Sequence, residues 1–316
     1  MSRIHEALKK AERERTSIPV ADPIPSLPRS RAEESAEVPG GFSQPAPTIA
    51  DSAAIDHFTR DYLRFDDLRA RCSHPQWHPD PNVNVFSNAE LSPRATEQFR
   101  TLRSRLYQLQ QSQSVRTLLV TSSIPGEGKT FVAMNLAQAI VRQPDRRVLL
   151  IDADLRRSRL HVPLGAPCTP GLADYLRGEA DELAVIQQEQ GGNLCFIPGG
   201  NESSNPSELL SNDRLKKLLV RLGPVFDWVI IDSPPCLPVA DASVLADLCD
   251  GVLLVVRAGS TPSSTAQRAC QELQGRKIAG VVLNAMTETP AYGPYHYYGY
   301  GRAHNDSNGA EKRAGE

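Results

Sequence analysis

The sequence predicts a parallel α/β sandwich with a disordered N-terminal extension and a flexible, tyrosine-rich C-terminal tail, and three observations carry that prediction. Short continuous Val/Ile/Leu runs such as Val148–Ile151 and Val252–Val256 fit strands buried on both faces of a parallel sheet. Between such runs lie helical patterns with apolar residues at i, i+3, i+4 and i+7, namely Ala133, Leu136, Ala137, Ile140 and Val141, then Leu215, Leu218, Leu219 and Leu222. A glycine-containing turn joins the first strand to the first of these helices, where a phosphate-binding loop belongs.

Residues 2 to about 14 read as a short amphipathic helix, with Ile4, Ala7, Leu8 and Ala11 on one face. Alone it is too short to hold in water, so it either docks or frays. From Thr16 to about Ala50 the chain is rich in Pro, Ser, Ala and Glu without apolar periodicity, the composition of a disordered segment. Residues 51–72 are compatible with one more helix, and a Pro-containing stretch runs to about Asn88, so residues 16–90 are assigned to a largely disordered linker. The α/β domain is assigned to 91–287, with strands at Arg116–Thr121, Arg147–Asp152, Leu194–Pro198, Asp227–Asp232, Gly251–Val256 and Lys277–Asn284. Residues 288–316 form the tail.

With 316 residues, 40% of them apolar, the chain can build one α/β domain of ordinary size with extensions. A net charge of −2 argues against binding to nucleic-acid backbones, which needs a basic surface, so no nucleic-acid partner is expected. The six cysteines contain no Cys-x-x-Cys pair, which indicates neither a disulfide framework nor a thiolate zinc site and suits a reducing cytoplasm. Cys72, His74 and His78 are close in sequence but read as linker residues rather than metal ligands. The charged start, Met1–Arg15, lacks the apolar segment of a secretory signal. No run approaches the ~18 apolar residues of a membrane span, so any membrane association is expected to come through a partner.

Chemistry concentrates in Thr121-Ser-Ser-Ile-Pro-Gly-Glu-Gly-Lys-Thr130, between a strand and a helix. Gly126 and Gly128 let backbone N–H groups turn inward around phosphate oxygens, Lys129 is placed to reach the β- and γ-phosphates, and the Thr130 hydroxyl to bind Mg²⁺. Ser123, Pro125 and Glu127 complete the cofactor-binding loop; the general motif wants Gly where Ser123 stands, so the loop is a variant. The next strand ends in Asp152-Ala-Asp154, and a later one in Val229-Ile-Ile-Asp232, a Walker B pattern. Three aspartates thus converge on the edge of the sheet where ligands of open α/β folds sit. The expected fold is therefore a P-loop NTPase sandwich using ATP and Mg²⁺.

The variant loop, the Asp-x-Asp strand and the Asp232-Ser-Pro-Pro235 strand end resemble the MinD/ParA-like ATPase class. Glu97-Gln-Phe-Arg100-Thr-Leu-Arg103, Leu155-Arg-Arg157, Asn205-Pro-Ser-Glu-Leu-Leu210 and Val239-Ala-Asp-Ala242 narrow the resemblance to bacterial tyrosine kinases of capsule and exopolysaccharide systems. Phe99 stands where a Tyr is common and Ser158 where a Pro is common, both read as peripheral to the phosphates. The resemblance implies protein-tyrosine autokinase activity. It makes Asp152 the base, gives Asp154 and Asp232, with Thr130, the metal, and makes Tyr292, Tyr295, Tyr297, Tyr298 and Tyr300 the phosphate acceptors. Those five are of the chain's eight tyrosines, and an aromatic tail used for stacking is the other reading.

The resemblance also implies a homo-oligomer built through Glu97, Arg100 and Arg103, whose charges are expected to face outward from an apolar stripe of Phe99, Leu102 and Leu106. A Wzz-like membrane chain-length regulator is implied as activator, with a cognate tyrosine phosphatase, and a cytoplasmic location peripheral to the inner membrane. Asn284 either contacts adenine or simply terminates its strand. A MinD/ParA-like ATPase switch without kinase activity is the alternative, and the tyrosine tail is what separates the two.

Overall fold

The computed structural model describes residues 63–87, 93–189 and 191–286. The N-terminal helix expected at 1–15, the linker up to residue 62 and the tail with its five tyrosines lie outside the described residues.

Seven strands form one sheet in the order β3-β4-β2-β5-β1-β6-β7. They are β1 (Thr117–Ser122), β2 (Val148–Asp152), β3 (Gln187–Gln188), β4 (Leu194–Ile197), β5 (Trp228–Asp232), β6 (Gly251–Arg257) and β7 (Ile278–Asn284). Every pairing is parallel except β3 with β4. Six strands coincide with the apolar runs read from the sequence; the added β3 is two glutamines, too short and too polar to show a pattern.

Alternate residues feed two cores, one on each face. Leu119, Leu149 and Ile151 point to one, while Leu118, Val120, Val148 and Leu150 point to the other. On the first face lie α1 (Phe65–Arg71), α5 (Leu172–Arg177), α6 (Pro206–Leu210), α7 (Asp213–Leu222), α8 (Asp241–Ala246) and α9 (Ser263–Glu272). The second carries α2 (Pro93–Gln113), α3 (Lys129–Val141) and α4 (His161–Leu164). Helix α7 buries Leu215, Leu218, Leu219 and Leu222, and its Asn212 side chain caps the start by accepting from the Arg214 amide at 3.1 Å. Helix α3 is buried continuously from Val132 to Ile140 because it is sandwiched between the sheet and α2.

The segment 63–87 corrects the linker assignment. Only Phe65–Arg71 of the expected 51–72 helix is helical among the described residues, and the segment is packed. Phe65 meets Phe226 edge-on at 5.8 Å on one face; Trp77 meets Phe196 at 6.0 Å on the other. Between them, Ser73 donates to Ile186 O at 3.1 Å and accepts from Gln188 N at 2.9 Å, covering the outer edge of β3. Asn135 of α3 then ties down Val83 and Val85 through its amide, each at 3.0 Å. The strap is held by separate anchors rather than by a periodic face, and periodicity could not find it. Cys72 Sγ stands 3.9 Å from His74 Nε2, and among the described residues no group of three His, Cys, Asp or Glu is arranged to hold a metal. Nor is any described helix long and apolar enough to cross a membrane.

Candidate active site

The phosphate loop leaves β1 and enters α3 through Gly126 at φ 84° and Gly128 at φ 93°, left-handed values that a side chain would strain. Gly128 is also crowded: a Cβ there would lie 2.1 Å from Asn284 Nδ2. Pro125 and Gly126 are exposed at the tip, whereas Ser123 is buried and its hydroxyl has no hydrogen-bond partner.

Glu127 belongs to the loop differently from what its position suggests. Its carboxylate turns into the protein, where it accepts from Ile124 N at 2.9 Å, Arg257 N at 3.3 Å and the Thr261 hydroxyl. Arg257 Nη1 donates to Gly126 O at 3.2 Å, and Asn284 Nδ2 to Glu127 O at 2.9 Å. The ends of β6 and β7 therefore brace the loop from outside. Sequence reasoning missed Arg257 and Thr261, polar residues some 130 positions away with no motif around them. Asn284 ends its strand and also touches the loop.

Lys129 Nζ donates to Asp154 Oδ2 at 2.9 Å and lies 3.9 Å from Asp232 Oδ1. Burial works against its charge, but Asp232 and Asp154 outweigh it, so the ammonium is held above its usual range. The Thr130 hydroxyl donates to Asp232 Oδ2 at 2.6 Å. Asp152 and Asp232 sit directly opposite each other on β2 and β5, the last residues of both strands. Burial, then the facing Asp232, pushes the Asp152 carboxyl well above the carboxylate range, with donors from Leu160 N at 3.1 Å and Ser158 Oγ at 2.8 Å offsetting part. Burial also raises Asp232, with Lys129 and Thr130 opposing. Ser158 is therefore not peripheral: where a proline cannot donate, this serine holds the Asp152 carboxylate.

These donors fit Mg²⁺. Asp154, Asp232 and Thr130 offer only oxygen, and Asp232 Oδ1 is buried without a hydrogen-bond partner.

Glu97 and Arg100 are exposed on α2 and pair with each other at 3.3 Å. Arg103 departs from the outward-facing expectation: its Nη1 donates to Ala139 O at 2.6 Å, and its half-buried side chain fastens α2 to α3.

A family model described as an AAA domain matches residues 115–268. The tyrosine-protein kinase YwqD of Bacillus subtilis (strain 168) is 34% identical over 218 residues, which cover 68% of this chain and 91% of that protein. The chain belongs to the bacterial tyrosine-protein kinases. Tyrosine-protein kinase etk of Escherichia coli (strain K12) is 36% identical over 241 residues, and there the match spans 32% of that longer protein. Among solved structures, the kinase domain of Escherichia coli tyrosine kinase ETK superposes with a TM-score of 0.62 at 33% identity, covering 73% of this chain and 89% of that one. The α/β fold expected from sequence is thus shared with a tyrosine-kinase domain.

Proposed function

We propose that the chain is an ATP-dependent protein-tyrosine autokinase whose acceptors are Tyr292, Tyr295, Tyr297, Tyr298 and Tyr300, and that this modification regulates polymerisation and export of an exopolysaccharide or capsule. One observation supports the reading above the others: Lys129, Thr130, Asp154 and Asp232 meet at the mouth of a braced phosphate loop, with Asp152 beside Asp232 on the neighbouring strand.

Lys129 stays charged and neutralises the phosphoryl oxygens. Magnesium, held through Thr130, Asp154 and Asp232, would supply further charge neutralisation at the phosphates. Asp152 acts as the base. A phenol has a pKa near ~10, so a carboxylate pushed upward by burial is better matched to take its proton than an ordinary one. Its oxygens accept from Ser158 Oγ, Leu160 N and Asp154 N, three of about four lone-pair sites, which leaves one for the acceptor hydroxyl. Glu127 and Asn284 keep the loop in shape before ATP arrives.

The remaining parts of the reading rest on family resemblance. They are self-association through Glu97, Arg100 and Arg103, activation by a Wzz-like membrane chain-length regulator, reversal by a cognate phosphatase, and work at the inner membrane from the cytoplasmic side through that partner.

The test is to incubate the protein and its Lys129→Met variant with Mg-ATP and the activating segment, and to read the tail peptide by mass spectrometry. Phosphate on Tyr292–Tyr300 in the parent, falling by about 10³-fold in the variant, is the expected result. ATP turnover with an unmodified tail would instead establish a MinD/ParA-like switch.

A further inference from the structure

Three sequence segments that carry no role in the phosphate site meet at one point beside it. Arg156, from the loop after β2, donates through Nε to Asp241 Oδ2 at 2.7 Å and through Nη2 to Asp241 Oδ1 at 3.0 Å. The same Nη2 donates to Ser207 Oγ at 2.8 Å, and the Ser207 hydroxyl donates to Asp241 Oδ1 at 2.6 Å. Asp241 opens α8, after β5; Ser207 lies in α6, after β4. The closed triangle therefore ties together the loops that follow three neighbouring strands.

Its placement gives it a use. Arg156 is two residues beyond Asp154, whose carboxylate holds Lys129 on one oxygen and accepts from Arg157 N on the other at 3.2 Å. Leu155 is buried and accepts from Ser203 N at 3.5 Å, so the backbone on either side of Asp154 is fixed by the same group of loops. Asp241 has no exposed side-chain surface, while Arg156 keeps 38%. Burial would raise the Asp241 carboxyl, yet the hydrogen bonds from Arg156 and Ser207 outweigh it and hold the group below its usual range. A planar guanidinium with two parallel bonds fixes direction as well as distance, which an ammonium cannot do.

We infer that Arg156, Asp241 and Ser207 form a positioning clasp for phosphoryl transfer, which holds Asp154 and Lys129 in register with the phosphate loop without touching the nucleotide. The inference rests on the proposed kinase reading for its acceptor, but the clasp should matter whether tyrosine or water takes the phosphoryl group. The loop's own braces, Glu127 and Asn284, involve none of the three residues, so nucleotide affinity and turnover should separate.

The experiment uses the full chain and four variants: Arg156→Ala, Arg156→Lys, Ser207→Ala and the double variant Arg156→Ala/Asp241→Asn. For each, the ATP dissociation constant, the kcat of ATP turnover, tail phosphorylation and Tm are measured. Arg156→Ala should lower kcat by about 10²-fold, the scale of an ångström-sized misplacement, with ATP affinity within about 3-fold of the parent. Arg156→Lys should not restore the rate, and the double variant should be no slower than the single, since one unit has been broken. Ser207→Ala leaves no buried charge unpaired and should fold, with Tm lowered by no more than about 4 °C; it should lose about 5-fold in kcat, the scale of one hydrogen bond. Parent-like turnover in Ser207→Ala and in folded Arg156→Ala would overturn the clasp, as would rate losses that multiply in the double variant or that follow ATP affinity one for one. Loss of the kinase reading shows separately, as a parent that turns over ATP and leaves its tyrosines bare.

Discussion

The central strands β2 and β5 and the edge strand β7 all finish beside the phosphate loop, yet they are built to opposite specifications. The central pair is buried at every residue and ends in Asp152 and Asp232, facing each other under the loop. The edge strand exposes Val281 and Leu283 and ends in Asn284, whose neutral amide reaches the loop's backbone. Carboxylates need a dry floor if burial is to raise their proton affinity and sharpen their pull on Lys129. A single amide hydrogen bond needs only a strand firm enough to present it.

Replacing Asp232 by Asn should test the central strands most severely. Phosphoryl transfer should fall by about 10²–10³-fold, the range for one preorganised electrostatic group. A variant keeping a tenth of the parent rate would show that the floor needs no charge at that position.

Next in size is the pH dependence of the clasp. Asp241 has a folded-state pKa below its unfolded value, so its contribution to stability is present above the ordinary carboxylate range and is lost as pH falls through the depressed folded value. Asp241→Asn should therefore cost about 1–2 kcal/mol at pH 7 in urea titrations, with the gap to the parent closing below about pH 4. A gap independent of pH would place the effect in packing rather than in charge.

The edge strand should respond more gently. Asn284→Ala should weaken ATP binding by about 5-fold, one hydrogen bond's worth, with kcat at saturating ATP within a factor of two. A kcat loss as large as that of Asp232→Asn would erase the distinction between floor and edge. Smallest of all, Leu283→Thr on the exposed face should shift unfolding by less than about 0.5 kcal/mol. A cost on the scale of a buried leucine would mean that this face is covered in solution.

The same contrast explains what the sequence disclosed. Strands such as Val148–Asp152 and Trp228–Asp232 are legible because double-sided burial demands unbroken apolar runs, and the phosphate loop because glycine spacing is dictated by its backbone turns. Contacts between side chains far apart in the chain leave no local pattern. Glu127 with Thr261, Arg156 with Asp241 and Ser158 with Asp152 are all polar residues whose meaning comes only from folding. Arg103 was misread for a related reason: helical periodicity shows which side a residue is on but not that a neighbouring helix carbonyl waits there. The strap was missed because Phe65, Trp77 and Phe86 anchor it singly, between prolines and charges.

That strap also fixes where the described chain comes in. Phe65 packs against Phe226 and under Arg147, residues that precede β5 and β2, at the amino ends of the strands. Met286 leaves just past Asn284, at the carboxyl ends, where the phosphate loop lies. A five-residue strand spans roughly 17 Å, so entry and exit are separated by about the depth of the sheet. A fusion made directly at Leu63 therefore starts from the edge of the sheet opposite the phosphate loop, whereas one made directly after Met286 starts at the loop's rim.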